Sequence, residues 1–169
     1  MAVMQAAKKI GLDTSGKILS IGIAGIEVVR MPDRIRTVLG SCIGIAIYDC
    51  VAKIGGLAHV ILPDSTQGSG DPGKFADTAT DMLIERVVDA GAVRKRLVAK
   101  ITGGASMFGN EPSLGLGERN AEAVRARLTH HAIRLAASAT GGTKGRKMML
   151  DPATGTVIVE IIGKSAEEI

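Results

Sequence analysis

Two short apolar segments, Ile43–Tyr48 and Gly55–Leu62, are joined by a short polar link, Asp49–Ile54. The first alternates isoleucine with small residues and the second is similar in kind, so the pair reads as an antiparallel hairpin. That hairpin commits the chain to a sheet. Ile18–Val29, rich in Ile and Val with interspersed glycines, is expected to be strand with a bend at Gly25, and Arg34–Leu39 to be another strand. Gly40-Ser41-Cys42 is a tight small-residue turn, and Pro63 to Gly73 is a loop of Asp, Ser, Gly and Pro. Asp77–Ala90 has the pattern of a helix, capped by Asp77 or Thr78, with Met82, Leu83, Ile84, Val87 and Val88 as its apolar stripe and Gly91 as its stop. Leu97–Thr102 reads as strand, Gly103–Gly117 as a flexible loop, and Glu118–His130 as a second helix with Ala121, Val124 and Leu128 on one face. Ala132–Ala137 is a further strand, and Lys147–Leu150 with Thr156–Ile162 a second hairpin. Strands in runs, with two main helices, predict an α+β fold with a mixed sheet covered by helices. The 169 residues suit one domain: a flexible segment at 1–16, a folded unit at 17–163 and a tail at 164–169.

Charge and composition narrow the function classes. The formal net charge is +4, but residues 91–147 hold eleven Lys and Arg against three acidic residues. Such a stretch either steers acidic partners or is a solvated face. The aromatics are only Tyr48, Phe75 and Phe108, which argues against a base-stacking platform, so no nucleic-acid partner is expected. Two cysteines, Cys42 and Cys50, make neither a disulfide framework nor a four-thiolate zinc site. Met1 to Gly16 lacks the apolar core of a signal peptide, and Ile18–Val29 is interrupted by Glu27 and too short to span a bilayer. The expectation is a cytoplasmic chain with free thiols and no membrane insertion.

Cys42 directly follows Gly40-Ser41, where a turn can expose the sulfur among backbone N–H groups that lower a thiol pKa and hold an oxyanion. A buried small hydrophobe is the alternative. His59 is the one polar side chain in Gly56–Pro63, and is either a hydrogen-bonded core residue or a base for Cys42. Pairing about a turn at 51–53 sets His59 opposite Ile45, so a thiol–imidazole contact needs the glycines at 40 and 44 to leave ideal strand geometry. Thr37 offers a hydroxyl to orient the imidazole, or is simply a β-branched strand residue. His130 and His131 adjoin at a helix end, where neighbours do not share a face, and no carboxylate stands at a matching spacing, so no metal is expected. Gly103-Gly104 and Gly141–Gly145 match no phosphate-loop pattern and read as turns or substrate-facing loops.

Together these segments resemble the chemoreceptor glutamine deamidases, the CheD family. Thr37 to Asp49 resembles the nucleophile segment, and Gly55 to Pro63 the histidine segment. Phe75-Ala-Asp-Thr-Ala79 is similar to the family's Tyr-x-Asp-Thr-Ala, with Phe for Tyr. Ala99 to Phe108, Gly117-Glu-Arg-Asn120 and Gly141 to Arg146 follow in family order. The resemblance implies an α/β sandwich related to bacterial toxin-type cysteine deamidases. It also implies hydrolysis of glutamine to glutamate on the cytoplasmic helices of methyl-accepting chemotaxis receptors, with release of ammonia. It makes Cys42 the nucleophile, His59 the general base and Thr37 the orienting hydroxyl, with backbone support at Gly40 and Ser41 and a substrate-facing loop at Gly103 and Gly104. It calls for no cofactor. Some relatives bind a CheC-type phosphatase, so an adaptor, catalytic or not, is the competing reading.

Overall fold

The computed structural model describes Gln5, residues 15–107 and residues 115–169. Most of the expected flexible segment at 1–16, and Phe108, lie outside these residues. The described strands are β1 (Ile18–Ser20), β2 (Ile26–Arg30), β3 (Arg34–Leu39), β4 (Ile43–Asp49), β5 (Ile54–Val60), β6 (Val98–Gly103), β7 (Arg134–Thr140), β8 (Arg146–Asp151), β9 (Thr156–Ile161) and β10 (Ala166–Glu168). Two α-helices are described, α1 (Ala76–Asp89) and α2 (Leu116–His130). The strands form two five-stranded mixed sheets, ordered β1-β3-β8-β9-β10 and β2-β5-β4-β6-β7. The fold is α+β.

All seven residues of β4 are buried, and its alternation explains how one layer packs on each of its faces. Ile43, Ile45 and Ile47 enter the core shared with α1 and α2, where Leu83, Ile84, Val87, Val124 and Leu128 meet them. Ala46 and Tyr48 face the other sheet, packing with Ile35, Leu39, Met148 and Leu150. With isoleucines on one face, and only Gly44 and Ala46 ahead of Tyr48 on the other, the second sheet can come close at the Gly44 end. A Cβ at Gly44 would lie 2.6 Å from Met148 Sδ and 2.9 Å from Leu39 Cδ1. Helix α1 starts at Phe75 without a side-chain cap; Asp77 instead accepts from the Ser65 N–H and hydroxyl.

Two further expectations change. Residues 18–29 do not form one bent strand. A turn, with Gly25 N–H on Gly22 C=O at 3.0 Å, divides them into β1 and β2, which belong to different sheets. The hairpin is antiparallel as read, but its register is shifted by one, so His59 stands opposite Gly44 rather than Ile45. The cause is the Asp49 carboxylate, which accepts from the N–H groups of Val51 and Ala52 at 3.0 and 3.2 Å and widens the loop to residues 50–53. Burial alone would raise this carboxyl, but Arg96 and the N–H groups of Val93, Ala52 and Val51 outweigh it and hold it down to about 2.

Candidate active site

A one-residue register change turns a side chain to the opposite face of a sheet. Opposite Gly44, His59 shares the face of Gly44 and therefore of residue 42, since the β4–β6 register continues through Gly104 N–H on Cys42 C=O at 2.8 Å. Its neighbour on that face, Leu57, lies in the inter-sheet core, and Cys42 packs against the same core from its edge. Gly44, between them on that face, has no side chain of its own, and Met148 and Leu39 from the facing sheet pack over it.

The turn that separates β1 from β2 grips His59 by its backbone. Ala24 N–H donates to His59 C=O at 2.9 Å, and His59 N–H donates to Gly25 C=O at 3.0 Å. Thr37, on β3 of the facing sheet, meets the ring: its Oγ1 is 2.8 Å from His59 Nδ1 and 2.9 Å from the carbonyl oxygen of Ile21. A carbonyl only accepts, so the single Thr37 proton goes to Ile21 and the hydroxyl must accept from Nδ1–H. That assigns the tautomer with Nδ1 protonated and leaves Nε2 as the basic lone pair. Nε2 is buried and has no hydrogen-bond partner among the described residues. An orphan of this kind is costly and calls for a role.

Thr37 and His59 are both 3% exposed, whereas Cys42 is half-buried. Burial pushes the His59 pKa down, so the ring is neutral and basic at rest. Burial pushes the Cys42 thiol up, opposed by its own backbone N–H. No hydrogen bond joins Cys42 to His59 among the described residues. The pair at rest is therefore thiol and imidazole, not thiolate and imidazolium. In a Cys50→Ser background, which removes the exposed second thiol, iodoacetamide alkylation of Cys42 should rise with pH to a midpoint above that of a free cysteine, about 8.5. A midpoint well below that value would show a preformed ion pair instead.

Gly40 and Ser41 form the turn before β4. Gly40 C=O accepts from Ala105 N–H at 2.9 Å. The loop opposite is built on positive φ at Gly103 (116°) and Gly104 (68°), and a Cβ at Gly103 would sit 2.1 Å from Cys42 O. Only glycine permits that approach. Ser41 and Gly104 line one cavity of about 350 Å³, together with Ser106, Gly117 and Gly142. A second, of about 570 Å³, has Thr37 and His59 in its wall, with Arg36 and Lys147 nearby.

Three contributors escaped the sequence reading. The Ile21 carbonyl is a backbone group and leaves no sequence signal. Asn120, fully buried on α2, donates from Nδ2 to Ile61 C=O at 3.0 Å and braces the end of β5. Its signal was a polar residue on the apolar face with Ala121 and Val124. Arg146, counted with the basic stretch, is 3% exposed. That stretch is partly neutralised by acidic residues from earlier in the chain, because Arg96 pairs with Asp49 at 2.8 Å and Arg127 with Asp81. His131 is also held, by Asp81 at 2.6 Å and Arg94 at 2.9 Å. Among the described residues no helix is long and apolar enough to cross a membrane.

Comparison with known proteins identifies the family. A family model described as CheD chemotactic sensory transduction matches residues 61–161. A Symbiobacterium thermophilum protein named probable chemoreceptor glutamine deamidase CheD is 45% identical over 161 residues, covering 90% of this chain and 98% of that one. A Clostridium botulinum (strain Hall) protein of the same name is 46% identical over 159 residues, covering 90% and 98%. Among solved structures, Neisseria meningitidis protein NMB0706 of family DUF152 aligns with a TM-score of 0.43 at 10% identity, over 83% of this chain and 67% of that one. Bacillus licheniformis hypothetical protein YfiH aligns with a TM-score of 0.44 at 14% identity, over 82% and 68%. Near-complete coverage of the curated relatives at this identity, together with the family match, shows that the chain belongs to the CheD family.

Proposed function

We propose that this protein deamidates glutamine side chains of chemoreceptors to glutamate, with Cys42 as nucleophile, His59 as base and Thr37 as the hydroxyl that orients it. Its relatives' names support the substrate class. The observation that carries the chemistry is the Ile21–Thr37–His59 relay, which leaves Nε2 as a neutral base on the face of residue 42.

In this reaction His59 Nε2 takes the Cys42 proton as the sulfur attacks the carboxamide carbon. The carbonyl π pair moves to oxygen, which backbone N–H groups at Ser41 and Cys42 hold. Collapse expels the amide nitrogen, which His59 protonates, so ammonia leaves and a thioester remains. His59 then takes a proton from water, hydroxide adds to the thioester carbon, and the thiol departs with its proton restored. The products are glutamate and ammonia, and the cycle needs no redox partner. A resting thiol makes His59 a true general base here, not merely the counter-ion of a thiolate.

The folded unit expected over 17–163, extended by β10 on the edge of β9, is the catalytic domain in this reading. A fold kinship with bacterial toxin-type cysteine deamidases is part of this reading, and the family resemblance is what supports it. Purified receptor cytoplasmic fragment incubated with enzyme should release ammonia and show the Gln-to-Glu mass change, and Cys42→Ala should abolish both. Wild type that leaves the fragment unchanged, while binding a CheC-type phosphatase as well as Cys42→Ala does, would instead assign an adaptor.

A further inference from the structure

Arg146 is a buried cation that the reaction above does not use. It opens β8, and its fork is directed at main-chain oxygens. Nη1 donates to Ala139 C=O at 2.5 Å, and Nη2 donates to Gly141 C=O. Thr102 Oγ1, 3.5 Å from Nη1, adds a bond to Ala139 C=O at 2.6 Å. The segment so held continues toward Cys42. Gly141 N–H donates to Gly103 C=O at 2.9 Å, and Ser106 N–H to Gly142 C=O at 2.8 Å. Residues 103–106 in turn hold the nucleophile turn, with Ala105 N–H on Gly40 C=O at 2.9 Å and Gly104 N–H on Cys42 C=O at 2.8 Å.

The bond to Gly40 C=O matters through peptide planarity. A carbonyl and the following N–H lie in one plane and point in opposite directions. Binding Gly40 C=O to the 103–106 loop therefore aims Ser41 N–H away from that loop. Among the described residues neither Ser41 N–H nor Cys42 N–H donates to another backbone group. Both are donors available to an oxyanion, and the direction of Ser41 N–H is set from the loop side.

We infer that Arg146 is a positioning residue for the Ser41 oxyanion donor, acting through the Gly141–Gly142 turn and residues 103–106. The inference rests on Cys42 as the nucleophile. A loop displaced by a fraction of an ångström tilts the Ser41 peptide, and oxyanion stabilisation depends on donors being in place before charge develops.

The test compares wild type with Arg146→Lys, which keeps the charge but has no fork to bridge two carbonyls. Arg146→Met runs in parallel and leaves no buried charge, in case lysine lowers the folded fraction. Deamidation of receptor fragment should lose roughly a hundredfold in kcat with KM within about twofold. Iodoacetamide alkylation of Cys42 provides the second readout. It is a displacement at an alkyl carbon that forms no oxyanion, so its rate and pH midpoint should stay at wild-type values. Wild-type kcat in both variants overturns the inference while leaving the cysteine mechanism intact. So does a kcat loss matched by an equal change in alkylation, because that reports a disturbed thiol. Deamidation that survives Cys42→Ala removes the cysteine mechanism itself, and the inference with it.

Discussion

A Thr37→Val enzyme should fold, bind receptor fragment with near-normal KM, and turn it over at least about 10²-fold more slowly than wild type. Valine matches threonine in shape, so the inter-sheet packing survives. What is lost is one oxygen with two partners, Ile21 C=O at 2.9 Å and His59 Nδ1 at 2.8 Å. Both partners are then orphaned in a site that is 3% exposed at His59, at a cost of about 1–3 kcal/mol in stability. The larger consequence is chemical. Without an acceptor at Nδ1, nothing favours the tautomer that keeps the lone pair on Nε2, and nothing fixes the ring plane. Thr37→Ser separates hydroxyl from bulk: it should recover most of the rate although it loses a methyl. Parallel kcat measurements on the two variants decide the matter. Wild-type turnover in the valine variant, or equal loss in both, would remove the relay from the mechanism.

How far such a site can be read from sequence depends on which level of structure holds it. Local signals located the elements well: glycine punctuation and Ile/Val runs marked the hairpin, and the apolar stripe of α1 was found within a residue of its ends. The errors came from side chains acting on backbone. Asp49 has no distinctive sequence neighbourhood, yet its Asx-type bonds to Val51 and Ala52 widen the hairpin loop by one residue and turn His59 to the other face. From sequence, a contact between Cys42 and His59 required distortion of the strand. In the structure regular register already puts both on one face. The division of residues 18–29 was missed for a related reason: glycines at 22 and 25 permit a strand bend and a sheet-changing turn equally, and only the partners in each sheet decide. Arg146 was hidden by composition, since a buried arginine and a solvated one look alike in a basic run.

Asp151→Ala should be the most destabilising of the substitutions considered, lowering unfolding free energy by about 3–5 kcal/mol. Arg34 and Asp151 are direct cross-strand partners at one end of the β3–β8 ladder, extending the Ile35↔Leu150 register by one step. Their Nε–Oδ2 distance is 2.8 Å, with side chains only 1% and 6% exposed. Arg34 Nη1 already lacks a partner, so loss of the carboxylate leaves a buried guanidinium nearly unsatisfied. Urea unfolding of Asp151→Ala beside the double variant Arg34→Met/Asp151→Leu distinguishes the two contributions. An apolar pair should recover much of the loss, because the main penalty is the stranded charge rather than the missing attraction. The pair also has a bearing on the site. Thr37 lies three residues along β3 from Arg34, opposite Met148, and it reaches His59 only in this register. An apolar replacement that restores stability while turnover stays low would show that the ion pair specifies the register on which the relay depends. Full recovery of both would show that packing alone specifies it.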